Sequence, residues 1–228
     1  MEKKNDDFLK ASEDRLIFKK YKPIKRIGEG SFSQVYICID NYTNKLYSMK
    51  VEKRNAQILF LETEAIHLFS LQGKGIPKYI TCGRTKDYNI LIEELLGKSL
   101  LNIAQKIQKG LELKDICLCA LQALERIEWI HSKDLIHRDI KPENFLFGID
   151  NPNIIYIVDF GLSKKYRSSK TGKHMMPKFT GKFNGTVRYA SANSLKGKEC
   201  SRRDDLISMG YMLLYLKYSH LSWADTLY

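Results

Sequence analysis

Apolar residues alternate with polar ones, or gather in β-branched runs, at Tyr21–Ile27, Gln34–Ile39, Leu46–Val51, Lys78–Cys82 and Tyr88–Glu93. A period of two sends successive side chains to opposite faces of a strand, and Asn41–Asn44 supplies turn residues between two of these runs. One helical stretch, roughly Ala56–Leu71, interrupts the strands. Further along the chain the period lengthens. In Leu111–Lys133 the apolar residues Leu113, Ile116, Cys117, Ala120, Leu121, Leu124 and Ile127 follow the 3, 4 step of a helix face, which predicts that this stripe is buried. Asp205–Tyr218 is apolar nearly all round and predicts a helix enclosed in a core. Short strands are predicted within Asn144–Gly148 and Ile154–Gly161. The pattern therefore predicts an α+β chain, with an extension over 1–20, a β-rich lobe over 21–96 and a helical lobe over 97–228, the boundary falling near Leu96–Ser99.

Composition narrows the setting. The 228 residues are 43% hydrophobic and 28% charged, ordinary for a soluble globular protein, and hold no apolar run long enough to cross a membrane as a helix. The N-terminus is polar and acid-containing, without the apolar stretch and small-residue site of a secretory signal. The five cysteines are odd in number and scattered, a distribution that fits reduced thiols rather than disulfides or zinc. The expected address is cytoplasm or nucleus. The net charge of +12 is concentrated, since Lys164–Arg203 carries twelve Lys/Arg against the single acid Glu199. That segment reads as a solvated loop; a nucleic-acid surface ranks below it, because no nucleic-acid motif accompanies it.

The chemistry-bearing residues begin at Gly28-Glu29-Gly30-Ser31-Phe32-Ser33-Gln34-Val35, a Gly-rich turn between two predicted strands. Its backbone N–H groups can approach phosphate oxygens closely. A following strand, rather than a helix, fits a hairpin laid over phosphates better than a dinucleotide-binding turn. Lys50, in Tyr47-Ser48-Met49-Lys50-Val51, shares a strand face with Ser48 and could hold α/β-phosphates if a carboxylate steadies it. Two candidates follow, Glu62 and Glu64. Glu64 is preferred because Leu68 and Leu71 lie at i+4 and i+7 on an adjoining face, and Glu62 stays open. The most specific run is Ile136-His137-Arg138-Asp139-Ile140-Lys141-Pro142-Glu143-Asn144. Asp139 can orient a hydroxyl and accept its proton, Lys141 can offset charge on a γ-phosphate, and Asn144 offers an amide oxygen to Mg²⁺. Twenty residues after Asp139, Asp159-Phe160-Gly161 ends an apolar strand with a second oxygen ligand for the metal.

These residues resemble the casein kinase 1 family of serine/threonine protein kinases over about Tyr21–Trp223. Three stretches are more specific than the general kinase signatures. They are Tyr88–Gly97, similar to that family's hinge, Gly185–Asn193, similar to its substitute for Ala-Pro-Glu, and Ser201–Leu206 followed by Gly210-Tyr211, similar to the entry into its central helix. The resemblance implies a bilobal fold with ATP and Mg²⁺ in the cleft. Backbone groups of Glu94 and Leu96 would meet the base, which Ile27, Val35, Ser48 and Leu146 would sandwich, and Asp205 would anchor the catalytic loop. It implies protein substrates with acidic or already phosphorylated residues before the target hydroxyl, with Arg188 and Lys182 resembling anion-binding positions. Guanidinium–phosphate pairing gives the Arg188 assignment a physical basis.

The chain also departs from the family pattern. Ser33 replaces a glycine, Glu143 replaces an aspartate, and Glu93 stands at the gatekeeper position where the family has an apolar residue. A carboxylate there must find a partner or a proton, and it is expected to alter the response to inhibitors that reach behind the base. The resemblance also implies further helices after Trp223, so the helical lobe is expected to be incomplete and the Asp205 helix to expose apolar surface. Against an active kinase stands the alternative of an inactive, truncated nucleotide-binding or scaffold fragment.

Overall fold

A computed structural model describes residues 7–11, 15–29, 33–56, 59–107 and 109–224. The chain forms two compact units, Met1–Gln72 with Pro77–Leu95, and Gly73–Ile76 with Leu96–Tyr228.

The first unit is built on an antiparallel sheet of β1 (Tyr21–Glu29), β2 (Gln34–Asp40), β3 (Leu46–Lys53), β4 (Tyr79–Arg84) and β5 (Tyr88–Glu94), in the order β1-β2-β3-β5-β4. Alternation sorts its side chains onto two different faces. Tyr36, Cys38, Met49, Val51, Ile90 and Ile92 enter an apolar core that also takes in Phe8, Ile17 and Tyr21. Phe8 belongs to the short helix α1 (Asp7–Ala11), and its ring lies 5.0 Å from that of Tyr36 and 5.1 Å from that of Tyr88. Of the segment expected to be an extension, Phe8 and Ile17 are thus seated in the core of the sheet. The opposite face carries Ser48, Lys50 and Glu52 from β3 beside Glu93, Leu91 and Asn89 from β5, paired in that order. Helix α2 (Leu61–Leu71) buries Leu61, Ala65, Leu68 and Leu71 and packs on β3, β4 and β5.

The expected start of α2 near Ala56 is corrected to Leu61. Phe60, at the N-cap, offers no side-chain acceptor. The exposed N–H groups of the first turn are met instead from β3, where Glu52 Oε1 accepts from Phe60 N at 2.7 Å and Leu61 N at 3.2 Å. The helix begins where that carboxylate can reach, which no local pattern shows.

The second unit contains α3 (Leu100–Ala104), α4 (Leu113–Ser132), β6 (Leu135–Ile136), β7 (Phe145–Phe147), β8 (Ile155–Ile157), β9 (Lys164–Lys165), α5 (Ala192–Leu195) and α6 (Arg202–Tyr218), with β6 paired to β9 and β7 to β8. Two helix-face expectations are corrected. On α4 the buried stripe is Ile116, Cys119, Ala123, Arg126, Ile127 and Ile130, whereas Leu113, Cys117, Leu121 and Leu124 are exposed. Both stripes have helical spacing, and contact with β6, β8 and α6 selects one of them. On α6 only Met212 and Leu216 of the apolar residues are buried, while Leu206, Ile207, Leu214 and Tyr218 are exposed. α6 packs on α3, on α4 and on the turn Val187–Tyr189. No helix among the described residues is long and apolar enough to cross a membrane.

Gly73–Ile76 lies in the second unit although the residues on either side belong to the first. Gly75 O accepts from Ile157 N at 2.9 Å, and Arg126 passes so close that a Cβ on Gly75 would fall 1.8 Å from its Nε. Gly75 also has φ +77, a conformation that favours glycine. Gly75→Ala is therefore expected to lower stability by roughly 2–4 kcal/mol, strain and overlap together, against about 1 kcal/mol for Gly172→Ala. Gly172 has a similar φ of +65 with nothing within 4 Å of its Cβ position. Denaturant unfolding of the two variants measures the difference.

Candidate active site

The second unit holds its charged loop from below. Asp205, on the first turn of α6, is buried, and its carboxylate accepts three hydrogen bonds. Its Oδ1 takes Arg138 N at 2.9 Å, and its Oδ2 takes His137 N and His131 Nε2, each at 2.8 Å. These bonds fix the backbone of His137 and Arg138 while Arg138 adopts φ +70. His137 is fully buried, stands 3.0 Å from Val158 O through Nε2, and meets the Phe160 ring edge-on at 5.5 Å. One imidazole thereby ties the Asp139 loop to the segment carrying Asp159. Arg138 is drawn below the usual arginine pKa by burial, a shift opposed by Cys200, Asp205 and Glu199.

Above this support, Asp139 is buried and its carboxylate meets Lys141, Thr186 and, more distantly, Asn144 Nδ2 at 3.5 Å. Lys141 Nζ lies 2.6 Å from Oδ2, and the Thr186 hydroxyl donates to Oδ1 at 2.8 Å. Lys141 also donates to Thr186 Oγ1 at 3.0 Å, which closes a triangle. Gly185 brings Thr186 in, for it has φ +119 and a Cβ there would lie 2.7 Å from Arg138 O. Sequence reading did not single out Thr186; its place beside Gly185 in a motif already noted was the available signal. The segment after it is fastened to α6, because Ser191 Oγ accepts from Ser194 N and donates to Asp204 Oδ1 at 2.6 Å.

Asn144 donates from Nδ2 to Asp139 O at 2.8 Å, and its own carbonyl accepts from Val158 N at 3.0 Å. That backbone bond brings together Asn144, just before β7, and the segment after β8 that carries Asp159; their side chains offer an amide oxygen and a carboxylate, both hard oxygen donors. That donor set fits Mg²⁺. Among the described residues no group of three or more His, Cys, Asp or Glu is clustered for a metal.

In the first unit Lys50 is buried and is paired with Glu64, while Glu62 is exposed and pairs with Arg84 at 2.7 Å. Of the two carboxylates left open by sequence, Glu64 is the one that meets Lys50. Glu93 also reaches Lys50, at 3.1 Å. Gly28 and Val35 face each other in the β1–β2 ladder, and Val35 stands opposite Lys50 in β2–β3, so Val35 lies beside Lys50 and Gly28 one strand further out. Ser48 is buried on the Lys50 face, Ile27 is half exposed on β1, and Glu29 ends that strand in an ion pair with Arg26. Gly30 and Ser31 lie outside the described residues. Glu94 closes β5, its backbone N donating to Lys78 O at 2.9 Å. In the second unit Leu96 begins the chain after the break, and Leu146 lies on β7 bridged to Ser99.

Lys182 and Arg188 are both exposed and are not joined by any described contact. Arg188 stands over the Tyr215 ring at 5.9 Å, and its carbonyl accepts from Trp223 Nε1 at 3.0 Å.

The family model for the protein kinase domain matches residues 21–226. The chain belongs to the protein kinase family, which makes it a phosphotransferase domain of the ATP-using class with proteins as substrates.

Asp205→Asn tests the support beneath Asp139. An amide can replace only one carboxylate oxygen, so at least one N–H donor would face an NH₂ group. Loss of a buried, charge-accepting partner of this kind costs on the order of 3 kcal/mol. The variant is expected to melt at lower temperature and to lose phosphoryl transfer, as measured by calorimetry and by a kinase assay on the same preparation.

Proposed function

We propose that this chain is an ATP- and Mg²⁺-dependent serine/threonine kinase of casein kinase 1 character, acting on acidic or already phosphorylated protein substrates. The observation that carries this reading is the Asp139–Lys141–Thr186 triangle. A hydroxyl, that of Thr186, already rests between a carboxylate and an ammonium, the surroundings that an attacking serine or threonine hydroxyl needs. Asp139 would orient the substrate hydroxyl and take its proton as the oxygen attacks phosphorus. Lys141, held beside Asp139, would neutralise charge on the transferring group. Lys50, steadied by Glu64, would contact nucleotide phosphates. Asn144 and Asp159 would hold Mg²⁺, which when bound neutralises phosphate charge and orients the phosphates.

Substrate preference is inferred from charge. The basic excess of Lys164–Arg203 adjoins the catalytic residues in sequence, and Arg188 is exposed with a guanidinium suited to paired contact with a phosphate. Lys164 is itself paired with Glu199, whose charge also bears on Arg138. An internal carboxylate near Arg138 supports a constitutively ordered segment, with activity unchanged by phosphatase treatment. A compartment with reduced thiols, cytoplasm or nucleus, suits the five free cysteines.

The assay is Mg²⁺-ATP-dependent phosphorylation of casein and of an acidic peptide with and without a phosphoserine before the target. Asp139→Asn is expected to lower kcat by about 10²-fold or more, the usual size of a general-base contribution. Arg188→Ala is expected to raise KM for the phosphorylated peptide roughly tenfold, in line with a lost charged hydrogen bond, while kcat stays within about twofold. A folded chain that binds nucleotide and transfers nothing would favour a scaffold role, and equal KM values for the two peptides would remove the phosphate preference.

A further inference from the structure

Among the described residues Lys50 meets the carboxylates of Glu64 and Glu93, which come from different kinds of element. Pairing of β3 with β5 sets Ser48 opposite Glu93 and Lys50 opposite Leu91, so Glu93 stands diagonally across the ladder from Lys50 on the same face. Its Oε1 is 3.1 Å from Lys50 Nζ, and the side chains of Glu93 and Lys50 are only 6% and 10% exposed. Glu64 meets the same ammonium from α2. A carboxylate this deeply buried is costly to leave unpartnered, and Lys50 answers that cost for Glu93.

We propose that Glu93 is a positioning residue that holds Lys50 from the sheet, so that Lys50 keeps its orientation even when Glu64 is removed. The asymmetry of the two anchors is the basis. The reach from Glu64 depends on where α2 rests against the sheet. The reach from Glu93 is set by backbone hydrogen bonds between β3 and β5 and does not involve α2. An ammonium with a single helix-borne partner turns toward solvent when that partner is lost. One with a second partner on an adjacent strand stays on its face. Glu93 therefore makes the placement of Lys50 a property of the sheet. The functional consequence rests on the reading of Lys50 as a nucleotide-phosphate contact; the clamp itself does not.

The test uses the full chain labelled with ¹⁵N-lysine and follows the protected Lys50 ammonium signal by NMR, assigned by its loss in Lys50→Arg. Glu64→Gln and Glu93→Gln are each expected to retain the signal, and the double variant to lose it. Affinity for MgADP is expected to fall no more than about threefold in either single variant and tenfold or more in the double, a coupling of the size seen between contacting residues. Glu93→Met, which buries no amide, repeats the Glu93→Gln measurement and guards against a local folding defect. If the double variant fails to fold, Glu64→Gln decides alone, since a retained signal supports the clamp and a lost one overturns it. A Lys50 signal that vanishes in Glu64→Gln while Glu93→Gln changes nothing would also overturn the proposal. If the signal behaves as expected but Lys50→Met, which carries no charge, binds MgADP as tightly as the native chain, the clamp stands and the phosphate reading of Lys50 falls.

Discussion

The arrangement of the second unit depends on one buried carboxylate. Asp205 sits at the start of a helix and gathers two consecutive backbone N–H groups and one imidazole nitrogen. A helix N-terminus favours negative charge, so the site of Asp205 is electrostatically suited to an ionised group before any loop approaches it. The loop then completes its coordination, and in doing so accepts a left-handed backbone at Arg138. The hydrogen bonds from the loop to Asp205 offset both costs, the strain at Arg138 and the desolvation of the carboxylate. This explains how a short irregular segment, without a regular hydrogen-bond ladder of its own, can hold Asp139 in one place.

The same logic recurs at buried charged groups within each unit. Asp139 is buried with a cation and a hydroxyl, Asp204 with Ser191 and the Ser201 backbone, Glu52 with the first turn of α2 and with Asn89 at 3.1 Å, and Lys50 with two carboxylates. Each of these charges would be expensive alone, and each instead joins two segments far apart in sequence. Glu52 and Lys50 are two residues apart on one face of β3, so the sheet grips α2 at its first turn and again at Glu64. Polar contacts here do more to set relative placement than to add stability.

Sequence reading reached the parts of this structure that are local. The His137–Asn144 run and Asp159-Phe160-Gly161 are contiguous, and their spacing survives any uncertainty about element ends. Strand alternation put Ser48 and Lys50 on one face, as the ladder shows. Helical spacing favoured Glu64 over Glu62, and Glu64 is the one that meets Lys50. What escaped was set by partners distant along the chain. The start of α2 follows a carboxylate on β3, the buried stripe of α4 follows the strands beneath it, and Gly73–Ile76 follows a hydrogen bond from Ile157. The near-continuous apolar run of α6 overstated burial, because hydropathy reports what a surface could pack against and not what covers it. The three-dimensional placement of Arg188 and Lys182 was equally out of reach, since charge clustering along a loop carries no information about which side chains converge.

Glu93 is the case in which local expectation and tertiary solution differ most. Read along the strand, an acidic residue in a run of isoleucine and leucine is a defect that calls for a proton or a partner. Read across the sheet, it lies one diagonal step from a lysine that needs a fixed position. The partner is forty-three residues earlier in the chain, at a separation that no local pattern spans, yet the register of β3 and β5 makes the encounter unavoidable. Once the strands pair in that register, a Glu93 side chain turned from the core has Lys50 as its neighbour and a half-polar face around it. The ladder that fixes the sheet therefore also determines which side chain faces Lys50, and a change of residue at position 93 would alter the electrostatics and leave the ladder in place.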